Sequence, residues 1–191
     1  MLKRGNDLFW KFLARLIFYQ VPYPTQEDFI SKLDLMYNPT FIGVDAGGPG
    51  KVVVQHLVND RAYDRQQLHK KVVSVDFNAA LEVGYDQDGT AMKEKAKVFA
   101  MQKLQQLTNN HGIMYSSADD DVIIELERTM YTRSPSGNII YKTLTELGGQ
   151  RGNDHNVASL LAFMLGWHHK YGDDVYKRRR KGNLWKPRFI G

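Results

Sequence analysis

Two carboxylates in this sequence stand where acids can do chemistry. Asp45 ends the apolar run Phe41-Ile42-Gly43-Val44, and a glycine-rich turn with a lysine follows, Gly47-Gly48-Pro49-Gly50-Lys51. Asp154 stands between Asn153 and His155 at the head of a strongly apolar stretch, NDHNVASLLAFMLG. In open α/β sheets, ligands collect beyond the carboxyl ends of the strands. Hard divalent cations take oxygen donors of this kind. An acid held at the start of a buried helix can be aimed across the same strand end. Both acids are therefore candidate metal ligands. Each also has a purely structural use: Asp45 can accept from its own turn, and Asn153 or Asp154 can cap a helix.

The glycines after Asp45 raise a second possibility, a phosphate-cradling loop. Such a loop needs G-x-x-x-x-G-K-[ST]. Counting from Gly50-Lys51, Asp45 occupies the place of the first glycine and Val52 the place of the hydroxyl residue. A carboxylate in that first place would repel phosphate. The dinucleotide fingerprint G-x-G-x-x-G is absent too. The glycines are left with a simpler role, a tight reversal with close backbone approach.

Composition narrows the chemistry further. The chain has no cysteine, which excludes thiolate zinc sites, cysteine nucleophiles and disulfides. That fits a reducing cytosol. Its 191 residues and 42% apolar content suit one domain with its own core. The longest apolar stretches, FLARLIFY and VASLLAFMLGW, fall short of the roughly 18–20 residues a membrane span needs. Asp7, Lys11 and Arg15 interrupt the start, so no signal peptide is expected. The net charge of +5 is uneven, with KRRRK over residues 177–181 followed by Lys186 and Arg188. That block either draws a polyanion or is a solvated tail.

The elements that must carry these residues can be read from periodicity. LARLIFYQVPYP reads as a strand, with a helix from Asp7 to Tyr19 as the competing choice. TQEDFISKLDLMYN reads as a helix capped by Thr25 with Asp28 three positions on, burying Phe29, Leu33 and Met36, and stopped by Asn38-Pro39. TFIGVD is a short buried strand. In KVVVQHLVNDRAYD, Val52 to Val54 favour a strand, but the segment is read as a helix, because Val53, Val54, Leu57 and Val58 recur at helical spacing behind Pro49. KKVVSVDFN is a second buried strand, and residues 82–90 a loop rich in Gly and Asp. AMKEKAKVFAMQKLQQLTNN is a long helix with a stripe of Met92, Ala96, Phe99, Ala100, Lys103 and Leu107. HGIMYSS is a short strand, DDDVIIELERTMYTR an acid-headed helix, and SPSGNIIYKTL a turn and strand. The apolar stretch after Asp154 is a helix closed by Gly172, with Val157, Leu160, Leu161 and Met164 facing the sheet. Alternation of strands and helices predicts an α/β domain with a largely parallel core sheet.

In this order and spacing, four segments resemble the nuclease domain of the bacteriophage terminase large subunit, the motor that cuts and packages phage DNA. They are LDLMYNPTFIGVDAGGPGKVVVQHL, VVSVDFN, the KEKAK run leading to SADDDVIIELERTMYTRSPSGNIIY, and NDHNVASLLAF. Junction resolvases and transposases share the acid cluster but match SPSGNIIY less well. The resemblance covers about residues 20–172. It implies an RNase H-like α/β fold, a mixed sheet flanked by helices, whose acids bind Mg²⁺ or Mn²⁺. Asp45 corresponds to the middle acid and Asp154 to the last. The family's first acid lies on an earlier strand, and of Asp7, Glu27, Asp28 and Asp34 none ends a convincing one. A competing alignment makes Asp45 the first acid and Asp76, ending the next strand, its partner. Where relatives carry a second acid beside or one turn after the last, this chain has His155 and Ala158. His155 is either a metal ligand or proton carrier, or a contact to DNA or solvent.

The resemblance further implies residues 1–172 as the nuclease domain and residues 173–191 as a basic tail. No nucleotide-binding loop accompanies them, so the chain reads as the C-terminal portion of a large terminase. Implied partners are double-stranded DNA, a terminase ATPase domain or chain, the portal protein and the small terminase subunit, in the host cytoplasm and not at a membrane. The expected chemistry is phosphodiester hydrolysis, in which two metals about 3.5–4 Å apart activate water and stabilise the leaving oxygen. The other readings are a catalytically silent DNA-binding or assembly module and a resolvase-like nuclease.

Overall fold

The computed structural model describes residues 2–4, 7–18, 20–116, 120–143 and 155–181. In chain order the elements are β1 (Leu2–Arg4), β2 (Asp7–Lys11), α1 (Tyr23–Tyr37), β3 (Ile42–Asp45), α2 (Gly50–Asn59), a 3-10 turn (Arg61–Gln66), α3 (Leu68–Lys71), β4 (Val72–Val75), β5 (Ala80–Tyr85), β6 (Ala91–Lys95), α4 (Ala96–Asn109), β7 (Ile113–Met114), α5 (Asp120–Glu127), β8 (Thr129–Arg133), β9 (Ile139–Thr143) and α6 (His155–Lys181). Two parallel pairs, β2 with β7 and β3 with β4, are joined by three antiparallel hairpins, β1–β2, β5–β6 and β8–β9. The sheet structure is therefore mixed, and the largely parallel sheet expected from the alternation is confined to these two pairs.

The pair β3–β4 divides the core. Side chains alternate across a strand. Val73 and Val75 of β4 join the larger cluster with α4 and α6. Ile42, Val44 and Val72 turn to the other side and pack on Val53, Leu57 and Leu68. On α6, Val157, Leu160, Leu161 and Met164 are all buried, as the helical spacing predicts. The helix lies so close to β3 that a Cβ at Gly43 would stand 2.6 Å from the Ala162 carbonyl oxygen. Only glycine leaves room for that backbone-on-backbone approach.

Several sequence expectations need correction. Thr25 is not the cap of α1: the helix begins at Tyr23 behind Pro22, with proline in its first positions, where the missing N–H costs nothing. Met36 is exposed, and the inward face of α1 carries Glu27, Ile30 and Asp34. The two acids are buried because each has a partner: Glu27 meets His56 Nδ1 at 3.0 Å, and Asp34 accepts from Lys71 Nζ at 2.7 Å. Lys71 also donates to Asn38 Oδ1, the left-handed residue that ends the helix. Breaking one side of a buried pair leaves an uncompensated charge. Lys71→Met is expected to lower stability by about 3 kcal/mol, the low end for such a loss because Lys71 keeps some solvent contact. Urea unfolding would measure it, and a change below about 0.5 kcal/mol would show that α1 docks without this pair.

The segment expected as a loop, residues 82–90, is largely a hairpin. Its turn is built by Asp86, whose carboxylate accepts from the N–H groups of Asp88 and Thr90. The long helix accordingly starts at Ala96 rather than Ala91, and Met92 lies in β6, exposed. The acid-headed segment splits into α5 and β8, and α6 runs through Gly172 to Lys181 instead of closing there. At the start of the chain neither reading holds: residues 12–18 form no strand or helix, the strand lies earlier, at Asp7–Lys11, and residues 23–24 already belong to α1.

Candidate functional site

β3 and β4 end together. Asp45 pairs in register with Val75, and the Ala46 N–H donates to the Val75 carbonyl at 2.7 Å. The chain then reverses into α2, where a Cβ at Gly50 would collide with the Asp45 carbonyl. The exposed carboxylate of Asp45 accepts the Gly47 N–H through Oδ1 at 2.8 Å. This bond does the structural job anticipated for Asp45. It also fixes the orientation of a carboxylate that borders a cleft.

That cleft, about 270 Å³, brings together six separate parts of the chain. Its polar lining is Asp45 from β3, Lys97 from the first turn of α4, Thr129 from the start of β8, Tyr141 from β9 and His155 from the first turn of α6. Phe77 and Leu161 contribute apolar wall. Lys97 is placed by its own N–H, which donates to the Phe77 carbonyl at 3.1 Å. Tyr141 is buried except at its tip, and its hydroxyl lies 3.4 Å from Gln105 Oε1. Burial, helped by the Glu94 carboxylate and Tyr131, pushes its phenol above the ordinary value. Tyr141 therefore presents a neutral hydroxyl to the cleft.

The start of α6 is held by a residue that the sequence reading passed over. Glu125 of α5 is buried; its Oε1 accepts the Val157 N–H at 2.8 Å and its Oε2 accepts Asn156 Nδ2 at 2.7 Å. A carboxylate at a helix N-terminus answers both the unpaired N–H groups and the positive end of the helix dipole. This contact holds the first turn of α6, to which His155 belongs. Glu125 sits three positions after Val122 on one face of α5, and Val122 is fully buried. That spacing was the available signal that Glu125 points inward.

Of the two acids singled out from the sequence, Asp45 borders the cleft, whereas Asp154 lies outside the described residues, immediately before His155. Asp76 is not brought to this cleft. Its carboxylate accepts the Asn78 N–H at 2.8 Å and borders a different, larger cleft beside β4. Glu27 and Asp34 are spent on their partners, and Asp28 pairs with Lys32. Among the described residues, no group of three or more His, Asp or Glu side chains is close enough to hold a metal ion. No helix among them is long and apolar enough to cross a membrane.

The mixed sheets flanked by helices have the RNase H-like fold expected from the sequence. Three solved structures share it. The large terminase nuclease from thermophilic phage G20c with bound magnesium matches with a TM-score of 0.51 at 19% identity, over 76% of this chain and 62% of that one. The same nuclease with bound cobalt gives 0.52 at 18%, over 78% and 64%. The Thermus phage P74-26 large terminase nuclease domain gives 0.50 at 15%, over 82% and 65%. This chain thus spans less than two thirds of the length of each solved domain. The fold is that of phage large terminase nuclease domains. No protein-family model matches the sequence, and no curated protein matches it either.

Proposed function

We infer that the Asp45 cleft is the centre of a divalent-metal-dependent endodeoxyribonuclease, the nuclease portion of a phage DNA-packaging terminase that cuts concatemeric viral DNA in the host cytoplasm. The observation that carries this reading is the meeting of Asp45, at the carboxyl end of a parallel strand, with the first turn of α6 in one cleft, within a fold shared with terminase nucleases. The donor chemistry fits a hard cation. Asp45 supplies an oriented carboxylate, and Asp154 stands in sequence directly beside His155, which borders the same cleft. Asp45 and Asp154 would hold Mg²⁺ or Mn²⁺; bound there, such ions activate water and stabilise the departing oxygen.

The remaining groups divide the work around that centre. Lys97 offers an ammonium to a phosphate oxygen, which offsets charge as the phosphorus becomes five-coordinate. Tyr141, kept neutral, donates its hydroxyl proton to Gln105 Oε1 and forms an uncharged part of the cleft wall. His155 brings an imidazole to the same cleft. The Glu125 carboxylate does not touch substrate; it positions the helix start. Lys97→Ala is expected to slow plasmid nicking about 10- to 100-fold, as for loss of one donor to the transition state, while leaving the fold intact. An unaltered rate would remove Lys97 from the site.

The test of the whole reading is a plasmid-nicking assay with Mg²⁺ or Mn²⁺ on the wild-type chain and on Asp45 and Asp154 variants. A second reading, a silent DNA-binding module completed by an ATPase chain that supplies another acid, is favoured by one observation: the described residues gather fewer than three metal-binding side chains. Robust cleavage by the chain alone excludes it. A resolvase-like enzyme would instead cut branched DNA in preference to linear duplex. The portal protein and small terminase subunit are proposed partners in the packaging reading.

A further inference from the structure

A second cleft, about 570 Å³, is separate from the Asp45 site. It follows β4 on the side that the α4 and α6 core occupies. Asp76 borders it at the carboxyl end of β4; His168, His169 and Lys170 border it from α6, and Ser74 from the strand between. The basic groups do not stop at the cleft. Lys170 Nζ reaches the Lys70 carbonyl at 3.4 Å, which brings α3 alongside with His69 and Lys70 exposed in its last turn. Beyond Lys170 the same helix carries KRRRK over residues 177–181. Of the acids nearby, Asp76 is engaged with its own turn and Asp34 is paired with Lys71, while Asp173 and Asp174 follow Lys170 in the helix sequence. From His155 to Lys170 the helix rises about 22 Å at 1.5 Å per residue. One rigid element thus joins the candidate cutting site to a basic region roughly two helix-widths away.

We propose that this basic region, formed by His168, His169, Lys170 and Lys70 at the β4 cleft, is a second site for the phosphate backbone of duplex DNA, gripping the substrate at a distance from the cut. The proposal rests on the nuclease reading for its ligand but not for its test. Lysine at such a site acts as a point charge on phosphate, without reading bases. Its signature is salt dependence: each phosphate contact contributes about 0.9 to the slope of log affinity against log salt on B-form DNA.

Binding would be measured by fluorescence anisotropy with a short labelled duplex of mixed sequence, in EDTA, between about 50 and 200 mM salt. Charge reversal at Lys170 with His169→Ala is expected to weaken binding about tenfold or more and to flatten the slope by about 1 to 2 units. Lys70→Glu, on an exposed position of a different element, should act in the same direction and guards against misfolding of α6. Asp45→Asn removes a negative charge from the cutting cleft and should not weaken binding in EDTA. Wild-type affinity and slope in both charge-reversal proteins would overturn the proposal, as would loss of all binding only when residues 177–181 are neutralised. Loss of nicking in Asp45→Asn with undiminished binding bears on the cutting site alone, so the two readings fail separately.

Discussion

Asp45→Asn is expected to reduce the proposed metal-dependent nicking at least about a hundredfold and to leave the fold unchanged. The substitution keeps an oxygen that can accept the Gly47 N–H, so the turn into α2 retains its bond. What it removes is the negative charge at the end of β3. A ligand-held cation contributes several kcal/mol of charge stabilisation to phosphoryl chemistry, and each 1.36 kcal/mol is worth about tenfold in rate. Asp154→Asn should act comparably if it shares the ions. Nicking at the wild-type rate in both proteins would remove these acids from the mechanism. Loss in one alone would single out the acid that matters.

The second large effect concerns stability. Glu125→Ala strips the start of α6 of a buried carboxylate and leaves the Val157 N–H and the Asn156 amide without their acceptor. A hydrogen bond to a charged group is worth about 1.5–3 kcal/mol, and the helix dipole adds to it. A loss of about 3 kcal/mol is expected, or about 6–12 °C in melting temperature for a domain of this size. Glu125→Gln retains one acceptor oxygen and should cost about 1 kcal/mol. Nicking should fall in both, in the order Ala below Gln, because the helix start orients His155. The contradicting result is an alanine variant that melts with the wild type. It would mean that the α6 start is held by packing of Val157, Leu160 and Leu161 alone.

Much of this arrangement was legible in the sequence where one local pattern decided it. Asp45 was placed at a strand end because an apolar run broke at an acid before glycines. KVVVQHLVNDRAYD was assigned to a helix over a strand because Pro49 and the spacing of Val53 and Leu57 agreed; the helix ends at Asn59 and a 3-10 turn follows. The four inward residues of α6 followed from periodicity in the same way. The failures have a common physical cause, polar groups satisfied by distant partners. Glu27 and Asp34 look like an outer helix face until His56 and Lys71 arrive from elsewhere in the chain. Glu125 looks like one more acid in an acidic segment until the start of α6 docks on it. The β5–β6 hairpin was hidden by its Gly and Asp content, which belongs to its turn and to the register shift between Glu82 and Gly84. Lys97, Thr129 and Tyr141 are far apart in sequence and meet only once the fold is complete. The family resemblance anticipated the fold. It could not anticipate which other side chains would share the cleft with Asp45.

The decisive measurement is a Mn²⁺ titration followed through backbone amide NMR signals, without DNA. Paramagnetic broadening at substoichiometric Mn²⁺ should strike Ala46, Gly47 and the first residues of α6, at His155 to Val157, before the rest of the chain, and should vanish in Asp45→Asn. Broadening that spares these amides, or that persists unchanged in Asp45→Asn, would contradict a metal site at the end of β3.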